Sequence, residues 1–397
     1  MSYRIHLLTG LAIAGIALGG QANAQGYDQA SLADAEKATE VAQKWSTGDI
    51  AYNAPKVTYD GPPIIMRTSL HTPDVAYTSK TWRWQFDALE RMSGGKIKAD
   101  HRWGMTVHHV SKGFEANRDN LTDASPCWSF YKSKSFPLMQ SLFLPGISPN
   151  AAVHAIMAEK MYIKYYRPEY ERQGVYLGRI RATTPYIYFT KSPVTKMEDL
   201  KGVKVRSGGG IQAKVQTALG ATPISMTSGE FYTGFQRGIV DAMSLSDGAA
   251  QVFKIDEIAT DRTYVNLSRV ILEMCLNKKW VDDLPADLRA VVDHWGRAAS
   301  QMDSQMSFLL HGARARQQYL ADGMKFHDLS DAESKRWQEA VNPVIDTYVK
   351  ELEDKGMPGK ALVADMRKVV AEYEGKTPNE IFMETIKNPV RGVLTAN

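Results

Sequence analysis

Residues 199–210 read DLKGVKVRSGGG. The alternation Val203-Lys204-Val205 is that of a short strand with one buried face, and it delivers Arg206 at its C-terminal end. Glycines 208–210 then turn the chain into residues 210–219, which have a helical pattern. Strand, glycine turn and helix in that order are the unit of an open α/β sheet, whose ligands bind outside the carboxyl ends of the strands. Arg206 is thereby aimed at a crevice. Its planar fork of donors matches a carboxylate bidentately, so it reads either as an anion receptor or as half of a surface ion pair.

The same grammar extends in both directions. Upstream, Ile64-Ile65-Met66 reads as a strand and residues 78–92 as a helix, with Trp82, Phe86 and Leu89 on one face and Gly94-Gly95 ending it. A strand at 97–101, a helix around 110–120 and a short strand ending at Ser125-Pro126 follow. Downstream come a strand at 186–190, a helix at 229–237 and a strand at 239–243. Alternation of this kind predicts parallel sheet. Residues 286–322 lack proline and carry Leu288, Val292, Trp295, Met302, Met306 and Leu310 at helical spacing, which predicts one long helix or two nearly continuous ones. Most of the remainder is amphipathic helix, with Trp337, Val341, Ile345 and Tyr348 on one face.

The N-terminus carries different information. A weakly basic start, an apolar run at residues 7–19 and Ala22-Asn23-Ala24 form the pattern of a secretory signal peptide, residues 1–24, leaving Gln25 as the new terminus. The run is too short for a membrane span, which needs roughly 20 residues. Residues 25–59 are polar, end at Asn53-Ala54-Pro55 and read as an extension outside the main fold. The 48 basic and 44 acidic residues contain no basic run, which argues against nucleic acid as a partner. The two cysteines, Cys127 and Cys275, are compatible with one disulfide or two buried thiols in an exported chain.

Motifs for chemistry are missing. After Gly208 the chain has Ala213-Lys214-Val215, which lacks the second Gly and the Ser/Thr of a phosphate loop, and the sequence contains no GxGxxG, GxSxG or HExxH. His71, His101, His108 and His109 match no zinc spacing. Among them His71, which follows the first strand, is placed to reach the crevice.

Four blocks carry a resemblance: Lys196-Met197-Glu198-Asp199-Leu200-Lys201-Gly202-Val203-Lys204-Val205-Arg206, Leu219-Gly220-Ala221-Thr222-Pro223-Ile224-Ser225-Met226, Gly229-Glu230-Phe231-Tyr232 and Gln236-Arg237-Gly238-Ile239-Val240-Asp241. They resemble the solute-binding subunits of tripartite ATP-independent periplasmic (TRAP) transporters, the DctP-like family. Weaker likeness at Gly95-Lys96-Ile97-Lys98, Trp103-Gly104, Asn120 to Asp123 and Phe136 to Gly146 extends this to roughly residues 60–350. The resemblance implies a two-lobe α/β fold with a ligand cleft between the lobes and a long helix spanning both. It also implies that Arg206 holds the carboxylate of a small organic acid, with glycines 208–210 clearing space for the ligand. Partners would be the membrane subunits of the transporter, and no cofactor is implied.

One loop departs from the family. Where many members carry Gly-Gln-Glu-Asn-Pro, this chain has Ala242-Met243-Ser244-Leu245-Ser246-Asp247. Leu245 stands where an asparagine usually helps to hold the carboxylate, leaving Ser244 or Ser246 to serve. Ser244 replaces the glutamate of members that bind a metal, so no metal is expected, with Asp247 the residue able to overturn this. Trp103, Cys127 and Trp128 follow predicted strands at their crevice ends. Tyr186 and Tyr188 lie in the hinge-strand region, where sialic-acid-binding relatives have a second arginine. Rings there suit an apolar or planar ligand body.

The expectation is therefore a periplasmic, non-enzymatic receptor for an organic carboxylate, favouring a monocarboxylate with an apolar or aromatic body. The rival readings are a receptor that presents its ligand to a membrane sensor, and an exported enzyme acting on a carboxylated substrate. The expected first lobe comprises residues 60–183 and about 271–310, the second 184–270 and about 311–397.

Overall fold

The computed structural model describes residues 26–394. The expected signal peptide and the terminus at Gln25 lie outside these residues. In chain order the strands are β1 Ile64–Ser69, β2 Ile97–Arg102, β3 Ala124–Pro126, β4 Val175–Ala182, β5 Ile187–Thr190, β6 Lys204–Ser207, β7 Thr222–Ser225, β8 Ala242–Leu245, β9 Asp261–Tyr264, β10 Ile271–Asn277 and β11 Lys325–Asp328. They form one sheet of order β2-β1-β3-β10-β4 and another of order β11-β9-β5-β8-β6-β7. Two α/β lobes result.

Both sheets are mixed. β1 lies parallel to β2 and β3, and β6 parallel to β7 and β8, as the strand–helix alternation predicts. β10 is antiparallel to β3 and β4, and β5 to β8 and β9, because the chain leaves the first sheet through β4 and returns to it through β10. The two crossings, residues 183–186 and 265–270, are bonded to each other: Thr183 N donates to Val270 O at 2.9 Å and Tyr186 N to Ser268 O at 3.0 Å. β8 begins three residues later than predicted, since Gly238 at φ 71° completes a turn that leaves Ile239 exposed.

The long helix is continuous through Ala286–Ser304, a widened π-type stretch Gln305–Leu310, and His311–Ala321. Its first part lies so close to β4 that a Cβ on Gly296 would overlap the Gly178 carbonyl. The hydroxyls of Ser300 and Ser304 accept the Ile180 and Ala182 amides, each at 3.0 Å. Its last part packs on the second-lobe helix Asp247–Val252. The helix thus braces both lobes.

Two expectations about the ends of the chain need correction. Residues 26–59 are not set apart from the fold. Ala35, Ala42 and Trp45, on the helices Leu32–Ala38 and Glu40–Thr47, are fully buried in the same apolar cluster as Trp82, Phe86 and Trp295. A polar average hid three apolar positions that one helix face suffices to bury. At the other end, helix Asp331–Glu353 packs on the second-lobe helix Gly210–Ala218. The following helices, Gly359–Glu372 and Pro378–Lys387, return to pack on the first-lobe helix Ala151–Met161.

Candidate functional site

The cleft lies where the carboxyl ends of both sheets meet. His71 enters two residues beyond β1, Trp128 two beyond β3, and Tyr186 from the first crossing. Arg206 enters from β6, Leu245 from the end of β8, and Phe308 from the π-type stretch of the long helix. Widened turns of this kind recur at functional sites because they re-aim side chains. About 530 Å³ lies unfilled here, open solvent at the mouth included.

Arg206 is 2% exposed. Its Nε and Nη2 both donate to the Met226 carbonyl at 3.3 Å, and its guanidinium carbon stands 4.3 Å from the Phe231 ring centroid. No carboxylate pairs with it among the described residues. Burial raises the phenol pKa of Tyr131 and of Tyr186, and the Arg206 charge beside both offsets part of that rise. Ser228 Oγ is buried in the same corner without a hydrogen-bond partner. A guanidinium, two phenols and a free hydroxyl make a site of donors waiting for an anion.

A second arginine lines the cleft, one that sequence reasoning did not single out. Arg181, on β4, sits five residues before Tyr186. Its Nη1 donates to both oxygens of Asp303 at 3.1 Å, while Arg179 Nη2 lies 2.9 Å from the same carboxylate. Burial pushes the Asp303 carboxyl up, but the Arg179 and Arg181 charges outweigh it and hold the group below its ordinary value. The alternating Arg179-Ile180-Arg181 on a strand next to a long helix was the available signal.

The structure brings Arg206, Trp128, Tyr186 and His71 together and leaves the other expected residues apart. Cys127 is bonded to Cys275, tying β3 to β10, so its sulfur is committed to the scaffold. Trp103 packs on His101 and beneath Arg83, away from the cleft. Ser244 and Ser246 flank Leu245, and strand alternation turns their side chains from the face that Leu245 presents. The cleft is thus apolar where the family's asparagine would stand. Tyr188 is buried, its hydroxyl donating to Gln216 at 2.6 Å.

The glycines 208–210 also do something other than expected. A Cβ on Gly208 would stand 2.8 Å from Phe130 Cδ2, and one on Gly210 would meet Gln140 Oε1 and stand 3.1 Å from Ser133 Cβ. They admit the segment after β3, which crosses against them from the first sheet's side. Asp247 is buried between cations: its oxygens accept from Arg262 at 2.6 and 2.8 Å and from Arg316 at 3.1 Å. Among the described residues no group of three His, Cys, Asp or Glu is placed to hold a metal ion. His101 is engaged by the Thr68 hydroxyl at 2.7 Å.

Comparison with known proteins agrees with this architecture. The profile of the family described as bacterial extracellular solute-binding protein, family 7 (DctP), matches residues 87–352. A solute-binding protein of Sulfitobacter sp. NAS-14.1 is 29% identical over 164 residues, 41% of this chain and 49% of the relative, so the match spans about half the relative's length. A TRAP solute-binding protein from Rhodoferax ferrireducens, solved with copurified benzoate, superposes with a TM-score of 0.73 at 18% identity, covering 78% of this chain and 98% of that one. A marine-metagenome TRAP protein specific for aromatic acids, solved with metahydroxyphenylacetate, gives 0.72 at 21% identity, covering 78% and 99%. With the profile matched across most of both lobes, the chain belongs to the DctP family of TRAP solute-binding proteins.

Proposed function

We propose that this protein is a periplasmic receptor that closes on an organic monocarboxylate with an aromatic or apolar body and delivers it to the membrane subunits of a TRAP transporter. The observation that carries the reading is Arg206, a buried guanidinium without a carboxylate partner among the described residues, at the edge of a cleft walled by rings. A buried charge without a counterion is costly, and an entering carboxylate removes that cost while its apolar body fills the space between Trp128, Phe253 and Leu245. One carboxylate suits the site because Arg181 is already engaged by Asp303. The aromatic acids bound by the two superposed structures support the same ligand class.

Closure would follow from that chemistry. Arg206 belongs to one sheet and Trp128 and His71 to the other, so a ligand touching all three favours the closed arrangement. Membrane subunits that distinguish closed from open then read out occupancy. An enzymatic reading lacks support, since catalysis needs a nucleophile held by a base, and His71, the imidazole of the cleft, holds no hydroxyl.

Native mass spectrometry of the purified protein, followed by denaturation and identification of the released molecule, tests the proposal. A stoichiometric aromatic or aliphatic monocarboxylic acid is expected. A dicarboxylate or a sugar acid in its place overturns the ligand class. An empty protein is then titrated calorimetrically with benzoate, mandelate and succinate, and tighter binding of succinate would also reject it.

A further inference from the structure

Polar atoms on the first sheet's wall of the cleft are nearly all used. Thr78 Oγ1 donates to Thr72 Oγ1 at 3.0 Å, Thr72 and Ser79 share a hydrogen bond at 3.0 Å, and Ser79 Oγ donates to the Pro73 carbonyl at 2.7 Å. His71 stands outside this closed chain. It is 8% exposed, and its Nδ1 is buried with no hydrogen-bond partner. A T-shaped contact with Trp128, centroids 4.7 Å apart, and stacking on Phe253 at 6.2 Å hold the plane of the ring.

We infer that His71 is a specificity-determining residue whose unpaired imidazole engages an uncharged hydroxyl on the ring of a bound aromatic acid, so that hydroxylated aromatic monocarboxylates are the preferred ligands. The inference rests on the carboxylate reading of the cleft given above. Three properties of the site select a hydroxyl. Burial, together with the neighbouring Arg181 and His108 charges, pushes the imidazole down to about 3, so His71 is neutral and offers no charge to a second carboxylate. A neutral imidazole has one N–H and one lone pair, and a hydroxyl both donates and accepts, so it satisfies Nδ1 in either tautomer. Finally, Trp128, Phe253 and Phe308 line the same cleft with apolar surface, which suits a ring bearing the hydroxyl. A ligand without the group leaves Nδ1 buried and unpaired, a loss sites built for hydrogen bonding exploit in discrimination.

Calorimetry at pH 7.5 with benzoate, 3-hydroxybenzoate, 4-hydroxybenzoate and terephthalate tests this on wild type, His71→Phe, His71→Asn and Arg206→Ala. Wild type is expected to bind one of the hydroxybenzoates about tenfold more tightly than benzoate, the worth of one neutral hydrogen bond. His71→Phe should lose the preference, binding the hydroxybenzoates no more tightly than benzoate, with a melting temperature close to wild type showing that the variant is folded. His71→Asn, with a donor and an acceptor, should recover part of it. An undiminished preference in His71→Phe overturns the inference, as does wild-type binding of benzoate or terephthalate at least as tight as that of both hydroxybenzoates. If no acid in the set binds wild type, the carboxylate reading fails and this inference with it. If acids bind and only Arg206→Ala abolishes them, with no change from His71→Phe, the carboxylate reading stands and this inference alone falls.

Discussion

Gln140, after β3, lies against Gly210, after β6, so closely that any Cβ at position 210 would overlap its side-chain oxygen. The contact joins segments that extend from different sheets. Gly210 also holds φ 54°, a conformation that L-residues adopt at a cost of about 1 kcal/mol or more. Gly210→Ala is therefore expected to disfavour the closed arrangement and to weaken ligand binding by about tenfold or more with the fold retained. Gly210→Ala combined with Gln140→Ala should recover part of the affinity by removing the overlap. Calorimetry on both variants decides the matter, and no recovery in the double variant would mean that the closure argument is wrong.

Arg206→Ala removes the only cleft guanidinium that lacks a carboxylate partner among the described residues. Loss of detectable carboxylate binding is expected, with circular dichroism and melting temperature close to wild type. Arg206→Lys should bind weakly, because a point charge replaces a fork matched to two oxygens. Retained micromolar affinity in the alanine variant would remove Arg206 from the site.

Asp28 ties the N-terminal segment to the hinge. Its carboxylate receives Arg269, whose guanidinium also donates to the Ser148 and Pro149 carbonyls at 2.8 and 2.7 Å, and Arg316 donates to the Asp28 carbonyl at 3.1 Å. Both Asp28 and Arg269 are almost fully buried. Asp28→Ala strands the Arg269 charge, and a stability loss of about 3–5 kcal/mol is expected in urea unfolding. A loss below about 1 kcal/mol would place the pair in effect on the surface.

Glu273 sits behind the aromatic wall, where its Oε1 accepts from Ser129 N at 3.3 Å, from the Ser129 hydroxyl and from Tyr170 Oη at 3.1 Å. Burial pushes its carboxyl up to about 7, against an ordinary 4.5. The folded state thus binds a proton that the unfolded state has released, and the group subtracts stability as pH rises from about 4.5 to 7. Glu273→Gln should remove that penalty, gaining on wild type across this window by roughly 3 kcal/mol at most and holding the gain above it. Melting temperatures of both proteins at pH 4.5 and pH 8 test the difference. A difference that does not grow with pH contradicts the assignment.

Comparing two predicted site residues shows where legibility ended. Trp128 was readable because it follows a strand at its carboxyl end, and the sheet carries such residues to the cleft. Trp103 follows β2 in the same way, but β2 is the edge strand of its sheet, and the ring turns onto His101 and Arg83 instead. Strand order is a property of non-local pairing, and no local pattern discloses it. Arg181 escaped for a related reason: its role depends on Asp303, 122 residues away in the chain.

The sequence by itself determined the alternation of strands and helices, the long helix, the arginine at the end of β6 and the family, because each rests on spacing within a few turns of chain. Tertiary structure alone decided that Cys127 and Cys275 are joined, and that residues 26–59 belong to the core. It also decided that Leu245 rather than its serine neighbours faces the cleft, and that Gly208 and Gly210 admit the opposite side's chain. Those outcomes depend on which distant surfaces meet. Burial and close approach are set by the packing of both partners, and a one-dimensional pattern carries only one of them.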